Sequence, residues 1–215
     1  MDRREDGEHI PVLVVRLAVP HLAISSGPLG GGLGLRAWAL NATVPMHYGR
    51  ADPEVHLDEI AADLGMIGAG VGMMTGVDVR ERQWAHDDGV DAVVTVGLGA
   101  PAWAAAPDGH LRRFAPGTIN SVVRVPARLS DAALVNAIAT VAEAKAQALW
   151  ELGIEATGTA SDATCVLCPA EGPAEAYGGP RSTWGARIAR AVHAAVRDGG
   201  KAWVAGGRSW SDQRG

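Results

Sequence analysis

Short apolar runs of strand character come first in this sequence, and its two longest helical patterns come last. Residues 10–26 and 33–45 are apolar and rich in β-branched side chains, and the glycine-rich sequence GPLGGGLG separates them. This succession predicts a strand, a turn and a second strand. Because strands and helices do not alternate strictly, the order favours an α+β fold over a doubly wound parallel sheet. We expect a single domain with a mixed, largely antiparallel sheet covered by helices.

Local signals place the other elements. They are a hairpin over 82–99, strands over 118–126 and within 159–168, and helices over 53–65, 130–152 and about 182–198. The hairpin is expected to turn near Asp87 to Gly89. Ser130 is a suitable N-cap for the middle helix, and Gly65 and Gly153 mark the ends of the first two.

Composition limits the domain count and the partners. The chain has 215 residues, of which 47% are hydrophobic and 20% charged, which suits one domain over 10–205 with loose tails at 1–9 and 206–215. A net charge of −5 without a Lys/Arg-rich block argues against nucleic acid as a partner. The apolar run after the charged N-terminus is too short to span a membrane. We therefore expect a cytoplasmic protein without membrane association, and a homodimer by default.

Cys165 and Cys168 have the C-x-x-C spacing of a zinc half-site or a redox pair. The seven histidines form no H-E-x-x-H motif, and no second C-x-x-C is present to complete four ligands. In a strand, residues three apart point to opposite faces, so two small buried side chains explain the pair equally. We expect no metal site.

Two further features leave alternatives open. On the helix over 130–152, Lys145 falls within the apolar face and Glu143 nearly opposite. Lys145 either runs its stem along the apolar surface to water or pairs with a buried carboxylate, and Glu143 either is solvated or serves a site. Ser182 and Thr183 open the last helix, where they serve as an ordinary N-cap or help the first amides to bind an oxyanion.

Several segments taken together resemble the adenosylcobinamide amidohydrolases of corrinoid salvage. They are GGGLG followed by Asn41 in ALNATV, GVGMMTGVDV around Thr75, TVGLGAP at 95–101, GTINSVVRVPARLSDAALVNAIATVAEAKAQAL at 117–149, ATGTASDAT at 156–164, and YGGPRSTWGARIARAV at 177–192. The resemblance covers nearly the whole chain except the tails. One departure is Ser161, which stands where the family pattern leads us to expect threonine.

The resemblance implies hydrolysis of the amide that joins the aminopropanol arm to a side chain of the corrin ring. The products would be aminopropanol and adenosylcobyric acid, and the partner would be adenosylcobinamide or a related corrinoid. Cobalt arrives within the substrate, so no cofactor is required. The alternatives are a non-catalytic corrinoid-binding protein for uptake or storage, and a zinc or redox protein built on the two cysteines.

Amide hydrolysis requires a nucleophile, a base and donors for the oxyanion. The sequence contains no G-x-S-x-G motif and no readable Ser-His-Asp order, so the candidates are polar residues in the resembling segments. The catalytic candidates are Asp162, Glu143, Thr159 and Lys145, with Asp162 or Glu143 as general base toward water or a neighbouring hydroxyl, and Thr159 as the candidate nucleophile. The substrate-binding candidates are Asn41, Thr75, Asn120, Ser161, Gly179, Ser182 and Thr183.

Overall fold

The structure is a computed structural model that describes residues 1–5, 7–107 and 117–213. In chain order its strands and helices are β1 (Asp2–Glu5), β2 (Glu8–Ser25), β3 (Gly32–Thr43), α1 (Pro53–Asp63), β4 (Gly70–Thr75), β5 (Gln83–Asp87), β6 (Val90–Leu98), β7 (Pro101–Ala102), β8 (Gly117–Arg124), α2 (Asp131–Glu151), β9 (Gly158–Thr159), β10 (Ala163–Pro169) and α3 (Thr183–Val204). None of these helices has the length and apolarity needed to cross a membrane.

One mixed sheet organises the described chain. Its strand order is β4-β3-β2-β10-β8-β6-β5, with β1 paired to β2, and β7 and β9 form a separate two-stranded sheet. In the main sheet the β3/β4 and β8/β10 pairs are parallel and the other pairs are antiparallel. The predicted α+β fold with a mixed, largely antiparallel sheet is therefore confirmed.

Helices α2 and α3 pack on each other and cover β6, β8 and β10. Leu134 and Val141 of α2 meet Ile188 and Val192 of α3 in one core cluster together with Val123 and other strand residues. Helix α1 belongs to a separate cluster, in which Leu57 and Ile60 lie with Trp38 and Leu40 of β3. The helical spacing of these apolar residues is what allows each helix to bury one face.

The sheet also folds over on itself. Strand β2 has 18 residues, and its pairing with β3 is interrupted between Arg16 and His21. Strands β3 and β4 lie against the inner side of β6 and β8. The evidence is a hydrogen bond between strands that are not neighbours in the sheet: Asn41 Nδ2 of β3 donates to Thr95 Oγ1 of β6 at 2.9 Å. A third cluster of buried apolar residues, including Met73, Val122 and Leu167, fills the space between the two halves.

Most of the local predictions are confirmed. Ser130 Oγ accepts a hydrogen bond from Ala133 N at 3.1 Å at the start of α2, and Gly65 and Gly153 have φ of 64° and 73° after α1 and α2. The hairpin turns through Asp88 and Gly89, both with positive φ, as a two-residue turn requires.

Helix α3 continues six residues beyond its predicted end at 198. Gly199 and Gly200, which would weaken an exposed helix, are both buried. A Cβ at Gly199 would collide with Val96, and one at Gly200 would collide with Leu152. Close packing on β6 and on the end of α2 therefore explains why the helix continues through two glycines.

The loose tails predicted at both ends are not what the structure shows. Asp2–Glu5 pairs with β2, and the buried guanidinium of Arg3 donates to Thr43 O at 2.8 Å. At the other end, Trp210 is 3% exposed and its backbone N donates to Gly76 O at 2.8 Å. Short segments without periodicity can still be ordered by such pairing with distant parts of the chain, which sequence patterns do not reveal.

Two adjacent residues of α2 provide a test of this packing. Leu134 is fully buried between α2, α3 and the sheet, whereas Val135 is 61% exposed. We expect Leu134→Ala to lower the free energy of unfolding by about 3 kcal/mol, because it leaves a cavity. Val135→Ala should change it by less than about 0.5 kcal/mol. Urea denaturation of the two variants measures the difference, and equal losses would contradict the packing of α2.

Candidate active site

The carboxylate of Asp162 is the centre of a polar cluster at the edge where β8 and β10 begin. Its Oδ1 accepts hydrogen bonds from Thr159 Oγ1 at 2.5 Å and from Ile119 N at 2.8 Å. Its Oδ2 accepts from Lys145 Nζ at 2.5 Å and from Thr159 N at 3.0 Å. Thr159 and Lys145 therefore both contact Asp162, so three of the four predicted catalytic residues lie together.

Lys145 reaches this cluster from the inward face of α2. Its side chain is 16% exposed and that of Asp162 is 12% exposed, so the ion pair is largely removed from water. Of the two alternatives for Lys145, the structure shows the pairing with a partly buried carboxylate. Desolvating two charges is costly, and the further donors on Asp162 are what make such a pair tolerable.

Gly158 allows this ion pair to form, and it was not among the predicted residues. Gly158 is buried beside the ion pair, and a Cβ at this position would collide with both Asp162 Oδ2 and Lys145 Nζ. The sequence signal was present, since a glycine directly precedes Thr159, but many glycines in this chain occupy ordinary turns.

Ser161 lies next to Asp162 at the surface. Its Oγ is 2.7 Å from Thr118 Oγ1 and donates to Gly117 O at 3.2 Å. Thr118 was also absent from the predicted set, because a threonine in a strand gives no signal of its own. Ser161 is exposed, whereas Thr159 and Asp162 are partly buried.

Asn41, Asn120 and Thr75 lie in the interior and do not face a ligand. They are at most 2% exposed. Asn120 Nδ2 donates to Asn41 Oδ1 at 2.9 Å and to Met74 O at 2.7 Å, and Asn41 Nδ2 is used by Thr95. Thr75 Oγ1 accepts from Val77 N at 3.2 Å. The direct substrate contacts expected of these three side chains are therefore absent from this arrangement.

Gly179, Ser182 and Thr183 lie apart from the Asp162 cluster. Ser182 Oγ accepts from Gly185 N at 3.1 Å and donates to Gly179 O at 2.8 Å, which makes it the N-cap of α3. Gly179 packs against Asn136, and the nine residues from there to Lys145 correspond to roughly 13 Å of α2. The N-cap alternative for Ser182 is confirmed.

Glu143 is also separate from the cluster. It lies two residues before Lys145 on α2, which turns its side chain about 200° away around the helix, and it is exposed. Of the two carboxylates predicted as general base, the structure places only Asp162 beside Thr159 and Lys145.

Comparison with known proteins identifies the family. The family model described as "Adenosylcobinamide amidohydrolase" matches residues 1–207. The chain belongs to this family. It is 32% identical over 186 residues to the "Adenosylcobinamide amidohydrolase" of Methanosarcina mazei, covering 82% of this chain and 88% of that protein. It is 37% identical over 130 residues to the protein of the same name from Halobacterium salinarum, covering 58% of this chain and 56% of the relative.

One solved structure has a lower similarity. The crystal structure of the PH0078 protein from Pyrococcus horikoshii OT3 aligns with 84% of this chain and 72% of its own, with a TM-score of 0.43 and 13% identity. This similarity is too low for the fold or the site of this chain to be inferred from that structure.

The Asp162 cluster contains two kinds of group that hydrolysis of an amide generally uses, a hydroxyl and an adjacent carboxylate. A hydroxyl attacks a carbonyl more readily when an adjacent base accepts its proton, and Thr159 Oγ1 already donates to Asp162 Oδ1. The ammonium of Lys145 donates to the other oxygen of the same carboxylate. A hydroxyl, a carboxylate and an ammonium are thus joined in that order by two hydrogen bonds.

The two cysteines belong to different core clusters of the protein. Cys165 belongs to the cluster inside the folded sheet and Cys168 to the cluster under α2 and α3, so they face opposite sides of β10 as predicted. Burial raises the pKa of Cys165 to about 12 and also raises the pKa of Cys168. Within the described residues, no group of three or more His, Cys, Asp and Glu side chains could hold a metal ion.

Gly158 gives a direct test of the site's packing. We expect Gly158→Ala to push Lys145 or Asp162 out of the pair, and to lower the free energy of unfolding by about 1–3 kcal/mol. Gly49→Ala is the matched control, because a Cβ there would meet only His47 O at an ordinary 3.7 Å. Urea denaturation measures both variants. A Gly158→Ala protein as stable as the Gly49→Ala protein would show that the pair is not confined in this way.

Proposed function

We propose that this chain hydrolyses the amide that joins the aminopropanol arm to a corrin side chain in adenosylcobinamide or a related corrinoid. The products are aminopropanol and adenosylcobyric acid. The names of its relatives support the substrate, and the contact between Thr159 Oγ1 and Asp162 Oδ1 is the observation that supports the chemistry.

The hydrogen bonds on Asp162 favour Thr159 as the attacking group. Both carboxylate oxygens already accept two hydrogen bonds each, so an attacking water would first have to displace one of these donors. Proton transfer from Thr159 only requires movement along a hydrogen bond that is already formed. Because the base is already in place, little rearrangement of the site is needed when Thr159 Oγ1 bonds to the amide carbon.

The steps then follow from these contacts. Thr159 Oγ1 bonds to the amide carbon, and its proton passes to Asp162. Ser161, an exposed residue beside Asp162, supplies the donor that we assign to the oxyanion: its hydroxyl turns from Gly117 O, 3.2 Å away, to the substrate oxygen. Collapse of the tetrahedral intermediate breaks the C–N bond, and Asp162 returns the proton to the leaving amine. Water then attacks the carbonyl carbon of the Thr159 ester while Asp162 accepts its proton. When the C–O bond to Thr159 breaks, Asp162 returns that proton to Thr159 Oγ1, and the corrinoid acid is released.

Lys145 remains hydrogen-bonded to Asp162 throughout this sequence. Its ammonium donates to Oδ2 of Asp162, and this bond keeps the other oxygen directed at Thr159. We assign Asn41 and Asn120 a positioning role, since Asn120 Oδ1 accepts from Ala163 N at 3.2 Å directly beside Asp162.

The remaining sequence predictions belong to the same proposal. The reaction needs no cofactor, because cobalt is part of the substrate and does not enter the steps above. A cytoplasmic location and a homodimer are consistent with this role in salvage.

The decisive experiment is incubation of the purified protein with adenosylcobinamide, with aminopropanol release measured by mass spectrometry. We expect release by the native chain, and Thr159→Ala and Asp162→Asn to lower kcat by about 100- to 10,000-fold. Thr159→Ser should retain part of the activity, because it keeps the hydroxyl.

Thr164→Ala is the control, as Thr164 lies on β10 near Asp162 but has no role in the steps above. Its activity should match that of the native chain. Tight corrinoid binding by the native chain with an intact amide would instead assign it the role of a corrinoid-binding protein.

A further inference from the structure

An exposed apolar segment borders Thr159. Residues 101–107 read PAWAAAP, and none of these seven apolar residues is buried. Trp103 is 44% exposed. Single exposed apolar side chains are common on protein surfaces, but a continuous apolar stretch indicates a surface that binds a ligand or a partner.

Hydrogen bonds hold the beginning of this segment beside the site. Strand β7 pairs with β9, and Pro101 stands opposite Thr159. Thr157 N donates to Ala102 O at 3.0 Å, and Ala104 N donates to Thr157 Oγ1 at 2.9 Å. These bonds fix the backbone on both sides of Trp103.

The backbone of Trp103 is therefore held close to Thr159. Trp103 follows Pro101 by two residues, which places its Cα roughly 7 Å further along an extended chain. An aromatic side chain two residues from Pro101, which pairs with Thr159, is suited to contact the body of a substrate whose reactive amide lies on a projecting arm.

We propose that residues 101–107 form the platform on which the corrin ring rests, with Trp103 making the main contact. This inference rests on the proposed function. A corrin is broad, flat and largely apolar, and the segment offers it an uncharged surface with one rigid aromatic side chain. The platform places the ring so that the aminopropanol arm points to Thr159.

Binding measurements on the uncleaving Thr159→Ala chain test this platform. We expect Trp103→Ala, added to that background, to raise the Kd for adenosylcobinamide about tenfold or more in titration calorimetry, as loss of an aromatic stacking surface does elsewhere. Trp103→Phe should retain most of the affinity. Trp84→Ala is the control, because Trp84 is 64% exposed on β5, at the far edge of the sheet.

A second arm of the experiment identifies the part of the ligand that contacts Trp103. Dicyanocobinamide has the same ring without the adenosyl group, so Trp103→Ala should weaken its binding equally. An effect confined to adenosylcobinamide would overturn the corrin assignment in favour of adenine. An unchanged Kd for both ligands would overturn the platform.

Kinetics separate this inference from the proposed function. In the otherwise native chain, Trp103→Ala should raise KM for adenosylcobinamide with a smaller effect on kcat. If the native chain binds corrinoid through Trp103 but releases no aminopropanol, the proposed function fails and the platform stands. If Trp103→Ala cleaves with unchanged KM, the platform fails and the proposed function stands.

Discussion

The side-chain amide of Asn120 joins three strands that are distant in sequence. Its Nδ2 donates to Asn41 Oδ1 on β3 and to Met74 O on β4, and its Oδ1 accepts from Ala163 N on β10. The residue is 2% exposed, so any of these groups left unpaired would cost about 1–3 kcal/mol. This amide therefore fixes how one half of the sheet lies over the other, and it fixes the backbone next to Asp162.

The candidate site depends on the same part of the fold. Lys145 comes from α2, the Ile119 amide from β8 and Thr159 from β9, so the three donors meet at Asp162 only when α2, β8 and β9 have packed together. A largely buried ion pair is a poor source of stability compared with apolar packing. Its position at an edge of the sheet, in contact with the hydroxyl of Thr159, is what the proposed catalytic role rests on.

Sequence signals predicted features that a few neighbouring residues decide. Ser130 and Gly153 delimit α2 through bonds within one turn, and the two-residue hairpin at Asp88 depends on local backbone preference. The interior position of Asn41 could not be predicted this way, because it results from the irregularity in β2 that folds β3 and β4 over β8. In a family motif, a polar residue that supports the fold looks the same as one that contacts substrate.

Exposure separates these two roles, as the departure at Ser161 illustrates. The serine hydroxyl contacts Thr118 Oγ1 and Gly117 O, while the rest of the side chain is exposed. Serine and threonine carry the same hydroxyl, so the serine removes no polar group from the site. Asn120, in contrast, has both amide hydrogens engaged by protein groups, which leaves it no donor for a ligand.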